Sequence, residues 1–210
     1  MTFLSGDAGN LPIESESTDA VVCRSVLCHI LQRQMVFREW HRVLKPRGRF
    51  TFYEPVDRYE TRFSELVDFS PLGEVAVSLR EAEEHFHHSS VSSLMNFDEH
   101  DLQRLVEQAG FEVTGSKLTE RGRDYPMTAA SAGDWWHLGI GGSATPGHPS
   151  PYDQLSQYLS PSDLDQCVAF FCAQADGTTI TFRAKELFMW GMRATRIPDE
   201  GTFTPPRGTR

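Results

Sequence analysis

Several side chains that could bind or react with a ligand follow short apolar runs of the chain. Asp7 lies in a Gly-Asp turn near the start, His29 comes shortly after the run that ends at Cys23, and Glu54 follows the next run, 49–53. Open α/β sheets bind ligands at the carboxyl ends of their strands. A histidine there can act as a base, and a glutamate can orient or deprotonate a ligand. Each residue also has a structural alternative: an ordinary turn for Asp7, packing at a helix start for His29, and capping of neighbouring groups for Glu54.

The elements that position these residues form a strand, a helix and a strand. The run 19–23 is apolar with β-branched residues, which predicts a buried parallel strand. Residues 34–44 predict an amphipathic helix that Pro46 and Gly48 end. The run 49–53 predicts the next strand, so the unit is a βαβ crossover.

Between these elements and residue 115 the pattern first loosens and then returns. Residues 57–93 have no clean period and indicate a partly helical insertion. Its histidine group, 85–88, fits a solvated loop better than a metal site, because no regular ligand spacing accompanies it. Asp98 is then expected to cap a helix that ends at Gly110, and 111–114 alternates as a strand.

The C-terminal part begins with a segment rich in Gly, Pro and Ser, 119–159, for which linker, mobile lid and pocket wall all stay open. Trp135 and Trp136 in its middle could line a pocket, but such pairs are more often core. A helix is expected to start after an N-cap at Ser160, and 180–192 predicts a strand.

Composition excludes several classes of function. The chain has 210 residues, a formal net charge of -9 and 39% hydrophobic residues, typical of one globular domain. Scattered basic residues argue against nucleic acid and anionic membranes as partners. No apolar run is long enough to cross a bilayer, and no signal-peptide pattern opens the chain, so we expect a cytoplasmic location. The four cysteines favour free buried thiols over zinc or disulfides: Cys23, Cys28, Cys167 and Cys172.

One stretch carries a resemblance beyond these patterns. The sequence GDAGNLP in a turn, then DAVVCRSVLCHI, then RVLKPRG before the strand 49–53, resembles class I S-adenosylmethionine-dependent methyltransferases of the small-molecule type. The segment 96–113 is similar to the family's next helix and strand. The resemblance implies an α/β fold with an incomplete Rossmann-like sheet (the family's strands three to seven), helices on both faces and an insertion after the fifth strand. One domain, 1–195, and a disordered tail, 196–210, are then expected.

The resemblance also implies roles for particular residues. Asp7 would accept a hydrogen bond from the adenine amino group of S-adenosylmethionine, and the Ala8 N–H would donate to the ring. Leu11 would pack on the adenine. Arg24 and Ser25 would lie near the methionine part of the cofactor. His29 and Glu54 are the candidate catalytic residues, beside a small-molecule methyl acceptor, and no metal is expected.

The family's glycine-rich first strand and acidic second strand do not precede residue 3 in this sequence. In the family these strands lie between the third and the fourth. Their absence is expected to expose the edge of the strand 19–23. Three outcomes stay open: the edge pairs with another chain, the first residues shift to pair with it, or the sequence is part of a longer natural protein. The leading hypothesis is a methyltransferase whose activity is impaired or absent in this chain alone. The alternative is a non-catalytic module that dimerises or binds a partner through the open edge. A nicotinamide-dependent oxidoreductase is disfavoured, because no Tyr-x-x-x-Lys pair is present.

Overall fold

The predicted strand, helix and strand are present in the computed structural model of the chain, which describes residues 2–142 and 148–195. Strand β1 spans Thr18–Arg24, helix α1 Arg33–Val43 and strand β2 Leu44–Val56. β1 and β2 pair in parallel, with Val21 opposite Phe50. A buried aromatic cluster joins α1 to β2: Phe37, Trp40, Phe50 and Phe52. The crossover therefore forms because the apolar face of α1 covers alternate residues of β2.

The other elements follow in chain order. The remaining helices are α2 (Phe63–Leu66), α3 (Glu74–His87), α4 (Glu99–Gln108), α5 (Ala129–Leu138), α6 (Pro151–Leu155) and α7 (Pro161–Ala175). The remaining strands are β3 (Phe111–Pro126) and β4 (Thr179–Arg193). In the described residues four strands form one sheet in the order β1-β2-β4-β3, which confirms the α/β fold. Residues 3–6, expected as the first of five strands, are not in a strand.

The chain divides into two compact units. Unit 1 comprises 1–54, 99–117 and 187–210, and unit 2 comprises 55–98 and 118–186. The predicted insertion, 57–93, lies in unit 2. The predicted tail, 196–210, lies outside the described residues.

In unit 1 the strand predicted to be buried is an edge strand. β1 pairs with β2 along one side only, and Val22 is 77% exposed. This corrects the prediction of a buried strand and agrees with the expected open edge. The backbone of Gly191 in β4 lies very close to its neighbours in the sheet. A Cβ on Gly191 would lie 2.1 Å from the Glu112 carbonyl oxygen and 2.7 Å from the Phe50 ring. Only a glycine allows these strands to pair here.

In unit 2 the segment predicted as a loop is largely regular structure. β3 continues to Pro126, and α5 and α6 follow within 119–159. Residues 143–147 of that segment lie outside the described residues. Trp135 and Trp136 of α5 are buried core residues, and the Trp136 ring stacks on Phe63 at 4.0 Å between centroids. The core alternative for the tryptophan pair is confirmed.

The insertion contains a regular helix that sequence periodicity did not show. α3 runs for 14 residues and ends at His87. The histidine group is therefore a helix end rather than a loop, and His87 is only 4% exposed. Farther on, Ser160 caps α7 as predicted, because its side chain accepts a hydrogen bond from the Asp163 N–H.

The cysteines are free thiols in the structure. Burial raises the pKa of Cys23 to about 12 and that of Cys167 to about 11, so neither is a ready thiolate. Within the described ranges, none of the helices is long and apolar enough to cross a membrane.

Candidate functional site

Unit 1 has an open groove where three of the predicted site residues meet. The groove has a volume of about 610 Å³, and it lies between the turn that carries Asp7, the 3₁₀ turn Leu27–His29 and the start of α1. Its walls are formed by nine residues: Asp7, Ala8, Gly9, His29, Ile30, Leu31, Gln32, Met35 and Val36. Asp7, Ala8 and His29 were predicted as site residues, and the fold brings them together across some 20 residues of sequence.

The Asp7 turn offers one hydrogen-bond acceptor and one donor to a ligand. Asp7 Oδ1 accepts from the Gly9 N–H at 2.7 Å, and the Asp7 carbonyl oxygen accepts from the Asn10 N–H at 3.0 Å. These bonds fix the turn, as its structural alternative supposed. Asp7 Oδ2 and the Ala8 N–H have no partner within residues 2–142 and 148–195. An acceptor beside a donor suits the edge of a heteroaromatic ring that carries an amino group.

An ion pair on α1 holds the chain that follows this turn. Glu39 and Arg42 pair at 2.7 Å, and Glu39 also accepts from the Leu11 N–H at 2.9 Å. Arg42 donates to the carbonyl oxygens of Leu11 and Ile13. The hydrogen bond from Arg42 lowers the pKa of Glu39. Leu11 is thus held by its backbone and is not among the groove residues, so its predicted packing on adenine stays a prediction.

His29 is an exposed side chain at the end of the 3₁₀ turn, and it lines the groove. The packed alternative therefore does not describe it. The turn itself depends on Glu54, whose side chain is fully buried at the end of β2. Glu54 accepts from the N–H groups of Val26, Leu27 and Cys28, each at 3.1 Å.

These contacts favour the structural alternative for Glu54. Its two carboxylate oxygens are occupied by three backbone donors, and Cys23 Sγ lies 3.7 Å from Oε1. A general base must reach the proton that it removes. The geometry gives Glu54 the function of holding the turn that presents His29, and its catalytic role stays an untested prediction.

Arg24 and Ser25 lie outside the groove walls. The Arg24 guanidinium lies over the Tyr53 ring, 5.4 Å from its centroid. Ser25 adopts a positive φ of 50° and donates its N–H to the Tyr53 carbonyl oxygen at 2.9 Å. Strain of this kind often marks functional positions. Their predicted place near the methionine part of a cofactor is not tested by these contacts.

Sequence reasoning missed part of the groove wall and its support. Gln32 and Met35 lie at the start of α1 and were not among the predicted site residues. Glu39, farther along α1, was not among them either. The signal that could have found them is position: they follow His29 within ten residues.

With the geometry in place, comparison with known proteins is informative. The family described as "Methyltransferase domain" matches residues 1–52, which contain all the groove residues. The resemblance to class I S-adenosylmethionine-dependent methyltransferases is thereby confirmed, and S-adenosylmethionine is the cofactor of that class.

Relatives extend the likeness beyond the family match. The mouse mitochondrial 2-methoxy-6-polyprenyl-1,4-benzoquinol methylase is 29% identical over 127 residues, which is 57% of this chain and 38% of the relative. The demethylmenaquinone methyltransferase of Thermotoga maritima is 30% identical over 120 residues, or 55% and 52% of the two chains. This chain therefore spans about half or less of the curated relatives that it matches. Among solved structures, the YcgJ protein of Bacillus subtilis aligns over 90% of this chain and 69% of its own, with 15% identity and a TM-score of 0.43, which is too low to support a functional argument.

Proposed function

We propose that this chain binds the adenine end of S-adenosylmethionine in the unit 1 groove and takes part in methyl transfer to a small molecule. One observation carries the proposal. The free Asp7 Oδ2, the free Ala8 N–H and the exposed His29 share one groove inside the segment that matches the methyltransferase family.

The groove fits adenine in its polar groups and in its walls. Adenine presents an exocyclic amino donor next to a ring nitrogen acceptor, which complements Asp7 Oδ2 and the Ala8 N–H. Ile30 and Met35 supply apolar surface for the ring faces. Asp7 is fixed by its bond to Gly9, so little side-chain order is lost when a ligand binds.

His29 is proposed to act at the acceptor. When bound, the cofactor supplies a methyl group on a positively charged sulfur, which leaves positioning as the main task of the protein. An imidazole can take a proton near neutral pH, and His29 is exposed in the groove. Glu54 would hold the turn on which His29 stands, through its three backbone hydrogen bonds.

The experiment is calorimetric titration of the chain with S-adenosylmethionine and, separately, with adenosine. Both ligands are expected to bind. Asp7→Ala should weaken both by about tenfold, the loss of one charge-assisted hydrogen bond. Glu14→Ala, at an exposed position outside the groove, is the control for the lost charge.

Two results would contradict the proposal. Absence of binding at millimolar S-adenosylmethionine would exclude cofactor binding by this chain. Equal affinities for Asp7→Ala and the natural sequence would exclude the adenine assignment. If binding is seen, methyl transfer is assayed first with a reduced quinone, because the relatives are named for benzoquinol and demethylmenaquinone substrates.

One observation favours a second candidate function, self-association through β1. The strand leaves its outer backbone groups unpaired with other strands of the sheet, and Val22 is exposed beside them. Such an edge can add a strand from a second copy. Light scattering after gel filtration should show a dimer that Val22→Lys disrupts, and a monomer at all concentrations would reject this candidate.

A further inference from the structure

Unit 2 contains a cavity of about 210 Å³ that lies apart from any residue discussed for cofactor binding. It is lined by groups of two kinds. Phe63, Phe86 and Leu138 give it an apolar wall, and Glu60, Glu83 and His87 give it ionisable groups. An apolar cavity with a few converging polar groups is the usual form of a small-molecule site. At ~30 Å³ for each water that it could hold, the space corresponds to roughly seven waters, which is enough for a small organic ligand.

Two carboxyl groups of the cavity, Glu60 and Glu83, have no ion-pair partner within 4 Å among the described residues. Glu83 is only 2% exposed, and its carboxylate accepts hydrogen bonds from the start of α2: the Ser64 N–H lies 3.3 and 3.4 Å away, and the Ser64 side chain and the Phe63 N–H also contribute. For the Glu60 carboxylate, the part of the chain that the structure describes offers no hydrogen-bond donor and no ion-pair partner. A buried charge is costly unless it is paired. Arg62 also lines the cavity, but its guanidinium pairs with Glu84.

His87 is a second and independent indication of a ligand with hydrogen-bond donors. It is 4% exposed, and its Nδ1 lies 3.4 Å from the Arg58 carbonyl oxygen. A carbonyl can only accept, so Nδ1 carries the proton and Nε2 is an acceptor. Among the described residues Nε2 has no donor. Burial lowers the pKa of His87 to about 4, which keeps the ring neutral at physiological pH.

The remaining electrostatics point the same way. Burial, with Asp57 and Glu83 nearby, raises the pKa of Glu60 well above its ordinary value, and burial raises that of Glu83 to about 7. Both shifts arise mainly from burial, which disfavours a charged carboxylate; for Glu83 the Arg62 charge and the hydrogen bonds from α2 oppose the shift without cancelling it. An ammonium group has three donors and one positive charge. It would satisfy the two carboxylates and the His87 nitrogen together.

We propose that this cavity binds a small organic ammonium ion, with its nitrogen against Glu60, Glu83 and His87 and its carbon skeleton against Phe63 and Phe86. The aromatic walls add a favourable contact for a cation. An anion is disfavoured by the carboxylates. A neutral alcohol of the same shape lacks both the charge and two of the donors. This binding does not depend on the cofactor groove, so it can be measured without S-adenosylmethionine.

The test uses the full chain and three probes of one shape: phenethylamine, 2-phenylethanol and phenylacetate. Binding at pH 8 is followed by calorimetry and by saturation-transfer NMR. Phenethylamine should bind at least about tenfold more tightly than 2-phenylethanol, and phenylacetate should not bind. Glu83→Gln should weaken phenethylamine binding by about tenfold or more, because it removes one buried charge partner.

The matched control is Glu81→Gln, an exposed position on the same helix that changes the net charge equally. It should leave the affinity unchanged, which separates the cavity from general attraction to an acidic protein. Glu60→Gln serves as the second variant if Glu83→Gln does not fold by circular dichroism. Three results would each overturn the proposal: no phenethylamine binding at about 10 mM, equal binding of amine and alcohol, or the same loss in Glu81→Gln as in Glu83→Gln.

Discussion

Among the described residues each unit has one glutamate side chain that is almost fully shielded from solvent, and the two differ in their hydrogen-bond donors. In unit 1 Glu54 is fully buried and accepts three backbone hydrogen bonds at 3.1 Å. In unit 2 Glu83 is 2% exposed, and it accepts from the Ser64 N–H at 3.3 and 3.4 Å and from the Ser64 side chain and the Phe63 N–H at the start of α2. Both acids meet backbone donors, but the Ser64 contacts are longer and burial raises the pKa of Glu83 to about 7. A buried acid with short, matched donors stabilises the fold, whereas one whose pKa is raised by burial is a candidate to meet a ligand.

The histidines show the same contrast in reverse. His29 in unit 1 is exposed in an open groove, and His87 in unit 2 is buried in a cavity with a lowered pKa. In unit 1 the structural side chain, Glu54, is buried, and the candidate reactive side chain, His29, is exposed. In unit 2 the candidate binding side chains, Glu83 and His87, are both buried.

The largest effect is expected when the partners of Glu54 are disturbed. Glu54→Gln keeps the shape but turns an acceptor into a donor that faces a backbone N–H. It should lower the free energy of unfolding by about 3 kcal/mol, from lost charge-assisted bonds and one unsatisfied N–H. Glu83→Gln at pH 8 should be neutral or stabilising, because it removes a buried carboxylate. Urea unfolding followed by circular dichroism measures both, and equal losses would break the comparison of the two glutamates.

A smaller effect is expected from the close packing of the unit 1 sheet. Gly191→Ala places a methyl group 2.1 Å from the Glu112 carbonyl oxygen, so the strands must separate, at a cost of about 1–3 kcal/mol. Gly122→Ala in the unit 2 part of β3 is the control. Its Cβ would lie 3.8 Å from Thr181 Cγ2, an ordinary contact, and stability should change by less than about 0.5 kcal/mol. A similar melting temperature for both variants would contradict the close approach.

The smallest expected effect is a change in how stability depends on pH. The pKa of Glu83 rises from 4.5 in the unfolded chain to about 7 in the fold. Its contribution to the free energy of unfolding is therefore present below pH 4.5 and lost as the pH rises through 7. The pKa of His87 falls from 6.5 in the unfolded chain to about 4 in the fold. Its contribution to the free energy of unfolding is therefore present above pH 6.5 and lost as the pH falls through 4. Between about pH 4.5 and 6.5 the two slopes oppose each other.

Glu83→Gln removes one of these slopes. The variant should then gain stability with rising pH across that window, relative to the natural chain. The other charged or titratable groups of the cavity are the same in both: Asp57, Glu60, Arg62 and His148. Melting temperatures at pH 4.5, 5.5 and 6.5 measure the difference, and a curve parallel to that of Glu81→Gln would show that the raised pKa of Glu83 has no effect on folding.

Much of unit 1 could be predicted from the sequence because its signals are local. A run of β-branched residues gave β1, and apolar spacing gave α1. The insertion 57–93 is partly helical as predicted, but the bounds of α3 were not predicted, because its buried face includes Glu83 and His87, which do not count as hydrophobic. The interval 119–159 was taken for a loop because Gly and Pro flank α5 and α6, although they mark the ends of those helices rather than an absence of structure.

The sequence by itself determined the resemblance of residues 1–52 to the methyltransferase family, the elements of the βαβ crossover and the residues of the Asp7 turn, since each of these signals is local. Only the tertiary structure decided what the two glutamates do. Glu54 meets its donors some 26 to 28 residues away, and Glu83 is separated from Glu60 by a helix and a turn. Burial and hydrogen-bond partners come from such distant contacts, so residue type and spacing cannot distinguish a structural acid from a binding one.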